Sequence, residues 1–283
     1  MSLVDLHIHT TFSDGIYTPT QLCQQALQAG IKIIGFTDHD SLNGIEEGLQ
    51  AAQKLGIKLL PGVELGSQQE GGSVHILGYG VRRDYEPLLE KMQWLRHARK
   101  ARLGKILAKL REHHIEVEVT ECDPLNRAVG RPHVAKAMVA KGYVQSVQEA
   151  FDKYLARGQS CYVPQPKLSP LEAVELIHAA GGLAVLAHPE EIHNRTLVAD
   201  LYGHIPFDGI EVFHPSAREC KVAGAFAYWQ DFASQRKIFI TGGSDFHGYQ
   251  DRYPVHLGDF EVQSDWVAEF LKLPLLQKYL ELK

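Results

Sequence analysis

Residues 3–9 read Leu3-Val4-Asp5-Leu6-His7-Ile8-His9, and this stretch decides how the rest of the chain is read. Leu3–His7 has the apolar character of a buried strand. It runs into two histidines that flank Ile8. Residues i and i+2 on extended chain project to the same side, so two imidazoles there can grip one cation. Outward from this stretch, Thr18–Ala29 reads as a helix with Pro19 in its first turn. Lys32–Thr37 reads as a strand, Asn43–Leu55 as a helix and Lys58–Leu65 as a third strand. The alternation predicts parallel strands with helices outside. Then the rhythm breaks. Glu64 and His75 are 11 residues apart, joined by the polar, Gly-rich link Gly66–Ser73. A parallel crossover needs about a dozen residues or more, usually including a helix. Ser73–Gly80 is therefore expected to run antiparallel to the third strand. That would bring His75, at the start of one strand, close to Glu64, which closes the other.

Tyr85–His113 reads as one long amphipathic helix, with Met92, Leu95, Leu103, Ile106, Leu107 and Leu110 on one face. Lys91–Arg111 holds eight Lys/Arg and no Asp/Glu, whereas the whole chain has a net charge of −5. This stripe is either a solvated face or a surface for phosphates or nucleic acid. Residues 115–165 lack a strand–helix alternation, with short helices expected at Pro132–Lys141 and Val147–Arg157. The alternation returns with helix Pro170–Ala180, strand Leu183–Ala187, strand Gly209–Phe213, helix Ala217–Gln235 and strand Lys237–Thr241. The expected division is a discontinuous barrel of residues 1–98 and 165–283, with a helical insert, 99–164, covering its active site.

The 283 residues include 15 histidines, an excess that suggests metal chemistry because neutral imidazole is the commonest metal ligand. Their positions carry the argument. His7 and His9 lie where the first strand ends, Asp14 in a Ser-Asp-Gly turn, His39 after the second strand and Glu64 at the end of the third. His188 ends the strand after the insert, and Asp245 and His247 repeat the i, i+2 spacing after the last strand. Open α/β sheets and barrels place active sites at such strand ends. Asp38 and Asp40 fit supporting or capping roles better than ligation. His97, His113, His114, His178, His193, His204 and His256 fall on helix faces or in loops and need no special role.

Asp5-Leu6-His7-Ile8-His9-Thr10, Ser13-Asp14-Gly15, Thr37-Asp38-His39, Pro61-Gly62-Val63-Glu64, His75-Ile76-Leu77-Gly78-Tyr79, Ala187-His188-Pro189 and Gly243-Ser244-Asp245-Phe246-His247 occur in this order. Together they resemble the PHP (polymerase and histidinol phosphatase) family of metal-dependent phosphoesterases. The resemblance implies an α/β fold, a distorted (β/α)7 TIM-like barrel, and two or three divalent metal ions (Mn, Zn or Fe). It implies one metal held by His7, His9, Glu64 and Asp245. Glu64 would bridge to a second held by His75 and His188, and Asp14, His39 and His247 would hold a third. The family often has His where Asp14 stands, so a carboxylate here alters that third site. Gly130-Arg131-Pro132-His133-Val134-Ala135, Gly158-Gln159 and Tyr162-Val163-Pro164 resemble the subfamily of nucleoside 3′,5′-bisphosphate phosphatases and a 5′-to-3′ exoribonuclease.

Phosphate esters resist hydrolysis because their charge repels a nucleophile. Clustered divalent cations neutralise the phosphoryl oxygens and activate water. The mixed imidazole and carboxylate set suits Zn, Mn or Fe. Beyond the metals, Arg131 can clamp phosphate oxygens with a planar fork. His133 can assist it, and His214 can bind phosphate or protonate the leaving group. The expected activity is hydrolysis of nucleotide phosphomonoesters, with 3′,5′-bisphosphates foremost. The alternatives are 5′-to-3′ exoribonuclease action on short RNA, histidinol phosphatase action and a degenerate PHP scaffold module. The expected partner is a nucleotide or short-oligonucleotide substrate, with no membrane and no stable nucleic-acid partner.

Composition is consistent with this. With 45% hydrophobic and 22% charged residues, the chain is neither disordered nor a disulfide-rich mini-protein. Cys23, Cys122, Cys161 and Cys220 form no C-x-x-C pair and read as buried small hydrophobes. No apolar run is long enough to span a membrane, and no signal peptide is apparent, so the expected compartment is the cytoplasm.

Overall fold

A computed structural model describes residues 2–70, 72–119, 130–219, 224–250 and 252–281. Among them, no helix is long and apolar enough to cross a membrane. The chain divides into two compact units, residues 1–90 with 168–283, and residues 91–167.

The first unit is a nearly closed eight-stranded barrel. It begins with β1 (Leu3–Ile8), α1 (Pro19–Gln28), β2 (Ile31–Phe36), α2 (Ile45–Leu55) and β3 (Lys58–Gln69). β1, β2 and β3 pair in parallel, as the alternation predicts. α1 starts where Thr18 accepts a hydrogen bond from Gln21 N and Gln21 reciprocates, with Pro19 at the first turn. Such a cap contributes about 1 kcal/mol. β4 (Gly72–Tyr79) runs antiparallel to β3, as expected from the short connection.

The connection itself differs from the sequence reading. Gly66–Gln69 belong to β3 and Gly72 and Ser73 to β4, so Glu64 does not close β3. β3 continues to Gln69 and pairs with β4 until Gln69 faces Gly72. Backbone pairing overrides the polar composition: Gln68 N donates to Leu168 O at 2.8 Å, and the buried Ser67 hydroxyl donates to Val74 O at 2.6 Å. Glu64 faces Leu77 and His75 faces Gly66, so Glu64 and His75 are diagonal neighbours on one face.

The barrel continues with α6 (Pro170–Ala179), β5 (Leu183–Leu186), α7 (Arg195–His204), β6 (Gly209–Phe213) and β7 (Phe239–Gly242). β5 is antiparallel to β4, and β6 and β7 are parallel to their predecessors. The sheet order is β7-β6-β5-β4-β3-β2-β1-β8, where β8 (Val262–Gln263) lies antiparallel along the start of β1. At the other end of β1, Ile8 bridges in parallel to Phe246, beyond β7. Gly243 permits this closure, since a Cβ there would sit 2.4 Å from His7. Leu6, Ile8, Ile34, Phe36, Leu60, Val185 and Ile210 are fully buried. Each such side chain contributes about 1.5–3 kcal/mol through burial.

The single helix expected at Ala217–Gln235 is two: α8 (Pro215–Glu219) and α9 (Ala225–Arg236), the latter preceded by Gly224 with φ of 83°. Residues 220–223 lie outside the described ones. β8 and α7 have no counterpart in the sequence reading. α7 has a local start signal, the Asn194 side chain accepting from Leu197 N at 2.9 Å. Short helices α10 (Ala268–Leu271) and α11 (Pro274–Leu280) end the chain.

The second unit contains most of α3 (Glu86–Glu112), α4 (Arg131–Ala140) and α5 (Val147–Ala150), the last extended by a π-helical turn at Phe151–Leu155. Leu103, Ile106 and Leu110 of α3 pack with Val134, Met138, Leu155 and Cys161. Cys23 and Cys161 are buried free thiols, while Cys122 and Cys220 lie outside the described residues.

Candidate metal centre

The predicted ligand residues of the barrel come together around Glu64. This residue follows the parallel part of β3, buried to 1% exposure. Its two oxygens face different histidines. Oε1 lies 2.8 Å from His75 Nδ1 and 3.1 Å from His188 Nε2. Oε2 lies 3.0 Å from His39 Nδ1, 3.2 Å from His9 Nε2 and 3.5 Å from His7 Nε2. β1 supplies His7 and, just past its end, His9; their Nε2 atoms are 3.2 Å apart. Asp245 Oδ1 completes this group at 3.0 Å from His9 Nε2 and 3.4 Å from His7 Nε2. His7, His9, Glu64 and Asp245 thus offer ligand atoms within coordination reach of one another.

A second group is His9, Asp14, His39 and His247. His247 Nε2 lies 3.3 Å from Asp14 Oδ1, and His39 Nε2 lies 3.7 Å from Asp14 Oδ2. A third is His39, Glu64 and His75, with His188 on the same Glu64 oxygen as His75. The groups share members, so His9, His39 and Glu64 link neighbouring positions.

The surrounding hydrogen bonds direct lone pairs inward. Glu211 Oε1 accepts from His7 Nδ1 at 2.9 Å, so a neutral His7, the form a bound cation requires, turns its Nε2 lone pair toward Glu64. Ser13 Oγ donates to Asp38 Oδ1 at 2.5 Å and lies 3.3 Å from His9 Nδ1, which orients His9 in the same way. Asp38 also accepts from Thr10 N and Thr10 Oγ1, each at 2.7 Å. Asp38 therefore holds the turn that carries His9 and Asp14. The backbone is strained at two members: φ is 28° at His188 and 52° at Asp245, where few residues other than Gly are found.

The electrostatics call for added positive charge. Burial disfavours the ionised carboxylates, yet the facing imidazoles hold Glu64 and Asp14 well below the usual range. Burial opposes ionisation of Asp245 too, but Arg252 and His247 hold its carboxyl well below that range. Burial pushes the imidazoles down, but Asp245 and Glu64 raise His9 to about 10, and Glu191 with Glu64 raises His188 to about 9. His39, between His9 and His75, is driven down to about 3 by burial. Protonated imidazoles thus balance the carboxylates, a task divalent cations perform with the imidazoles neutral. Among the described residues, nothing hydrogen-bonds to the buried Asp14 Oδ1 and Glu64 Oε2. Buried acceptors of this kind are costly unless a cation satisfies them. The residues present therefore fit a set of divalent metals.

Of the expected substrate contacts, His214 lies at this centre. It is buried, with Nε2 at 3.8 Å from Asp245 Oδ2 and without a hydrogen-bond partner. Its Nδ1 accepts from Ser216 N at 3.1 Å, so the neutral ring carries its proton on Nε2. Arg131 and His133 open α4 in the helical unit. Gly130 N donates to His133 Nδ1 at 3.2 Å, and Arg131 Nη1 donates to Leu155 O at 3.1 Å beneath the Phe151 and Tyr162 rings.

Sequence reasoning missed three residues. Glu211 had a visible signal, a lone acid inside the apolar strand Gly209–Phe213. Glu191 lies 3.4 Å from His188 Nδ1. Arg252 pairs with Asp245 Oδ2 and lies 3.2 Å from His247 Nδ1. Neither had a local signal. Arg252, Glu191, His214, Ser216, Ser244 and Tyr253 line an open pocket beside Asp245.

The PHP domain pattern matches residues 5–207. A 5′-3′ exoribonuclease of Haemophilus influenzae is 36% identical over 251 residues, covering 86% of this chain and 89% of that one. A phosphoribosyl 1,2-cyclic phosphate 1,2-diphosphodiesterase of Eggerthella lenta is 32% identical, covering 90% and 97%. A 3′,5′-nucleoside bisphosphate phosphatase of Chromobacterium violaceum is 32% identical, covering 87% and 88%. Among solved structures, a proposed metal-dependent phosphoesterase of Bifidobacterium adolescentis matches with a TM-score of 0.77 at 28% identity, covering 95% of both chains.

Proposed function

The chain belongs to the PHP domain family and is a metal-dependent phosphoesterase, and from that premise we propose that it removes phosphate from nucleotides, with 3′,5′-bisphosphates as the leading substrates. One observation carries the metal assignment: the two oxygens of Glu64 face two different sets of histidines. A carboxylate so placed suits the bridge between adjacent cations. His7, His9 and Asp245 would share the Oε2 side, His75 and His188 the Oε1 side, and Asp14, His39 and His247 would hold a third cation. Bound there, divalent cations would neutralise phosphoryl charge and activate water.

The remaining work falls to the protein. His214 Nε2–H is a buried donor with no hydrogen-bond partner among the described residues, beside Asp245. It is suited to donate to a phosphoryl oxygen or to the departing ester oxygen. Arg252 caps the outer oxygen of Asp245 and directs the inner one toward His7 and His9. Its guanidinium has further N–H donors for a substrate oxygen at the pocket. Arg131, with His133, is assigned to a phosphate of the substrate.

The substrate assignment draws on the Chromobacterium relative. The test is phosphate release from a panel of mononucleotides, 3′,5′-bisphosphates, a ribosyl cyclic phosphate and histidinol phosphate, with metal content measured by elemental analysis. Fastest turnover of bisphosphates, lost on chelation and restored by Mn²⁺, is the expected result. Turnover of another ester with none on any nucleotide overturns the substrate assignment. A metal-free, inactive native protein would point to a scaffold. A second reading, 5′-to-3′ exonuclease action on short RNA, is favoured by the eight Lys/Arg of Lys91–Arg111. Stepwise release of mononucleotides from RNA, faster than dephosphorylation of free bisphosphates, would establish it.

A further inference from the structure

We propose that Glu211 is a positioning residue that couples two cation sites, and that it is not itself a ligand. The proposal rests on the metal-centre reading above. Glu211 sits at the middle of β6 and is fully buried. Its two oxygens are committed to two different ligand histidines. Oε1 takes the Nδ1 proton of His7 at 2.9 Å. Oε2 takes the backbone N–H of His188 at 2.8 Å.

The two bonds do different work. The first fixes a tautomer: with its proton on Nδ1, His7 presents the Nε2 lone pair toward Asp245 Oδ1 and Glu64 Oε2, at 3.4 and 3.5 Å. The second holds a backbone. His188 has φ 28° and ψ 65°, a conformation that persists only where its surroundings enforce it. A charged acceptor on its N–H supplies that enforcement. From this backbone, His188 Nε2 reaches Glu64 Oε1 at 3.1 Å. His7 and His188 therefore address opposite oxygens of Glu64, and one carboxylate sets the geometry of both.

Glu211, His7 and His214 also lie within coordination reach of one another. As a cation site this triad fails on its donors. Both Glu211 oxygens are occupied, His7 Nδ1 carries the proton it gives to Glu211, and His214, whose Nδ1 accepts from Ser216 N, presents Nε2–H. A buried carboxylate is also weak evidence for a stabilising role, since an apolar residue of similar volume often serves the fold as well or better.

Glu211→Gln separates the alternatives. The amide offers one neutral acceptor in place of two charged ones, so one bond is lost and the other loses its charge assistance, and both histidines are affected. The experiment titrates metal-free protein with Mn²⁺ by calorimetry. Thermal unfolding of the metal-free protein is followed alongside, to separate lost metal affinity from lost fold. The expected result is roughly 10–100-fold weaker binding at the two sites that share Glu64. Asp14→Asn, in contrast, should weaken the third site alone. If Glu211→Gln does not fold, Glu211→Asp keeps the charge one methylene short and should show a smaller loss at the same two sites. Mn²⁺ affinity within twofold of wild type at both sites, in a folded variant, overturns the proposal. A loss confined to one site overturns the coupling. The titration is independent of turnover. A protein that binds Mn²⁺ as expected but hydrolyses no phosphate ester would refute the function proposed above while the role of Glu211 still stands.

Discussion

The two units of the chain handle charge in opposite ways. Residues 91–167 carry 15 Lys/Arg against 7 Asp/Glu, a net charge of +8. The remaining residues carry 14 against 27, a net charge of −13. In the helical unit the interior is apolar, filled by Leu103, Ile106, Leu110, Val134 and Met138, while Lys100, Lys105 and Arg111 are exposed. In the barrel, Glu64, Glu211 and Asp245 are buried among imidazoles. An exposed lysine keeps much of its hydration and costs the fold little. A buried carboxylate needs a cation or donors placed against it, and its removal disturbs everything it organises. Substitutions in the two units should therefore differ by orders of magnitude in effect.

The largest effect belongs to Glu64. Glu64→Gln removes a charge that faces five histidines and substitutes an amide that cannot bridge two cations. Phosphate release should fall on the order of a thousandfold or more, and elemental analysis should find at least one cation fewer per chain. Circular dichroism should show the barrel intact. Turnover within tenfold of wild type would mean that Glu64 is not the shared ligand.

His214→Ala comes next, because it removes a donor without removing a ligand. Its Nε2 makes no hydrogen bond among the described residues. We expect kcat to fall by about 100-fold with metal content unchanged. A parallel loss of metal would reassign His214 as a ligand. Arg252→Lys should act more mildly. Lysine preserves a positive charge beside Asp245 but lacks the planar fork. A rise in KM of about tenfold, with kcat nearly preserved, is the expected split. A fall in kcat at constant KM would restrict Arg252 to holding Asp245.

The same contrast explains what could be read from the sequence. The barrel's candidate ligand set was legible because its members stand at strand ends or on the β3–β4 hairpin, with i, i+2 spacing at His7/His9 and again at Asp245/His247. The antiparallel turn of β4 followed from the 11-residue separation of Glu64 and His75. The extent of β3 did not, because Gly66–Gln69 has loop composition and is held extended by pairing with β4 and by Leu168. Glu211 was visible as a lone acid in an apolar strand, but its partners His7 and His188 are distant in sequence. Arg252 lies in a loop with no periodicity, and only the fold brings it to Asp245. In the helical unit the amphipathic face of α3 was readable from periodicity, whereas the π-helical turn at Phe151–Leu155 carries no pattern of its own.

The smallest effect on the chemistry, and the one that tests the helical unit, comes from its basic stripe. Arg102 is a poor choice for charge reversal, because its Nε donates to Val163 O at 2.7 Å and its Nη1 to Gln165 at 3.2 Å. Reversing it would damage packing as well as charge. Lys100 and Lys105 are exposed. In the double variant Lys100→Glu/Lys105→Glu, turnover of a mononucleotide should remain within about twofold of wild type, since exposed charges are screened by salt and neither lysine belongs to the candidate metal centre. Binding of short RNA should weaken if the stripe tracks a strand, and its salt dependence should flatten by roughly 0.7 for each phosphate that the lysines cease to neutralise. Equal, small effects on RNA and mononucleotide would make the stripe a solvated face. An unequal effect would assign the helical unit to the polyanion and leave the barrel with the chemistry alone.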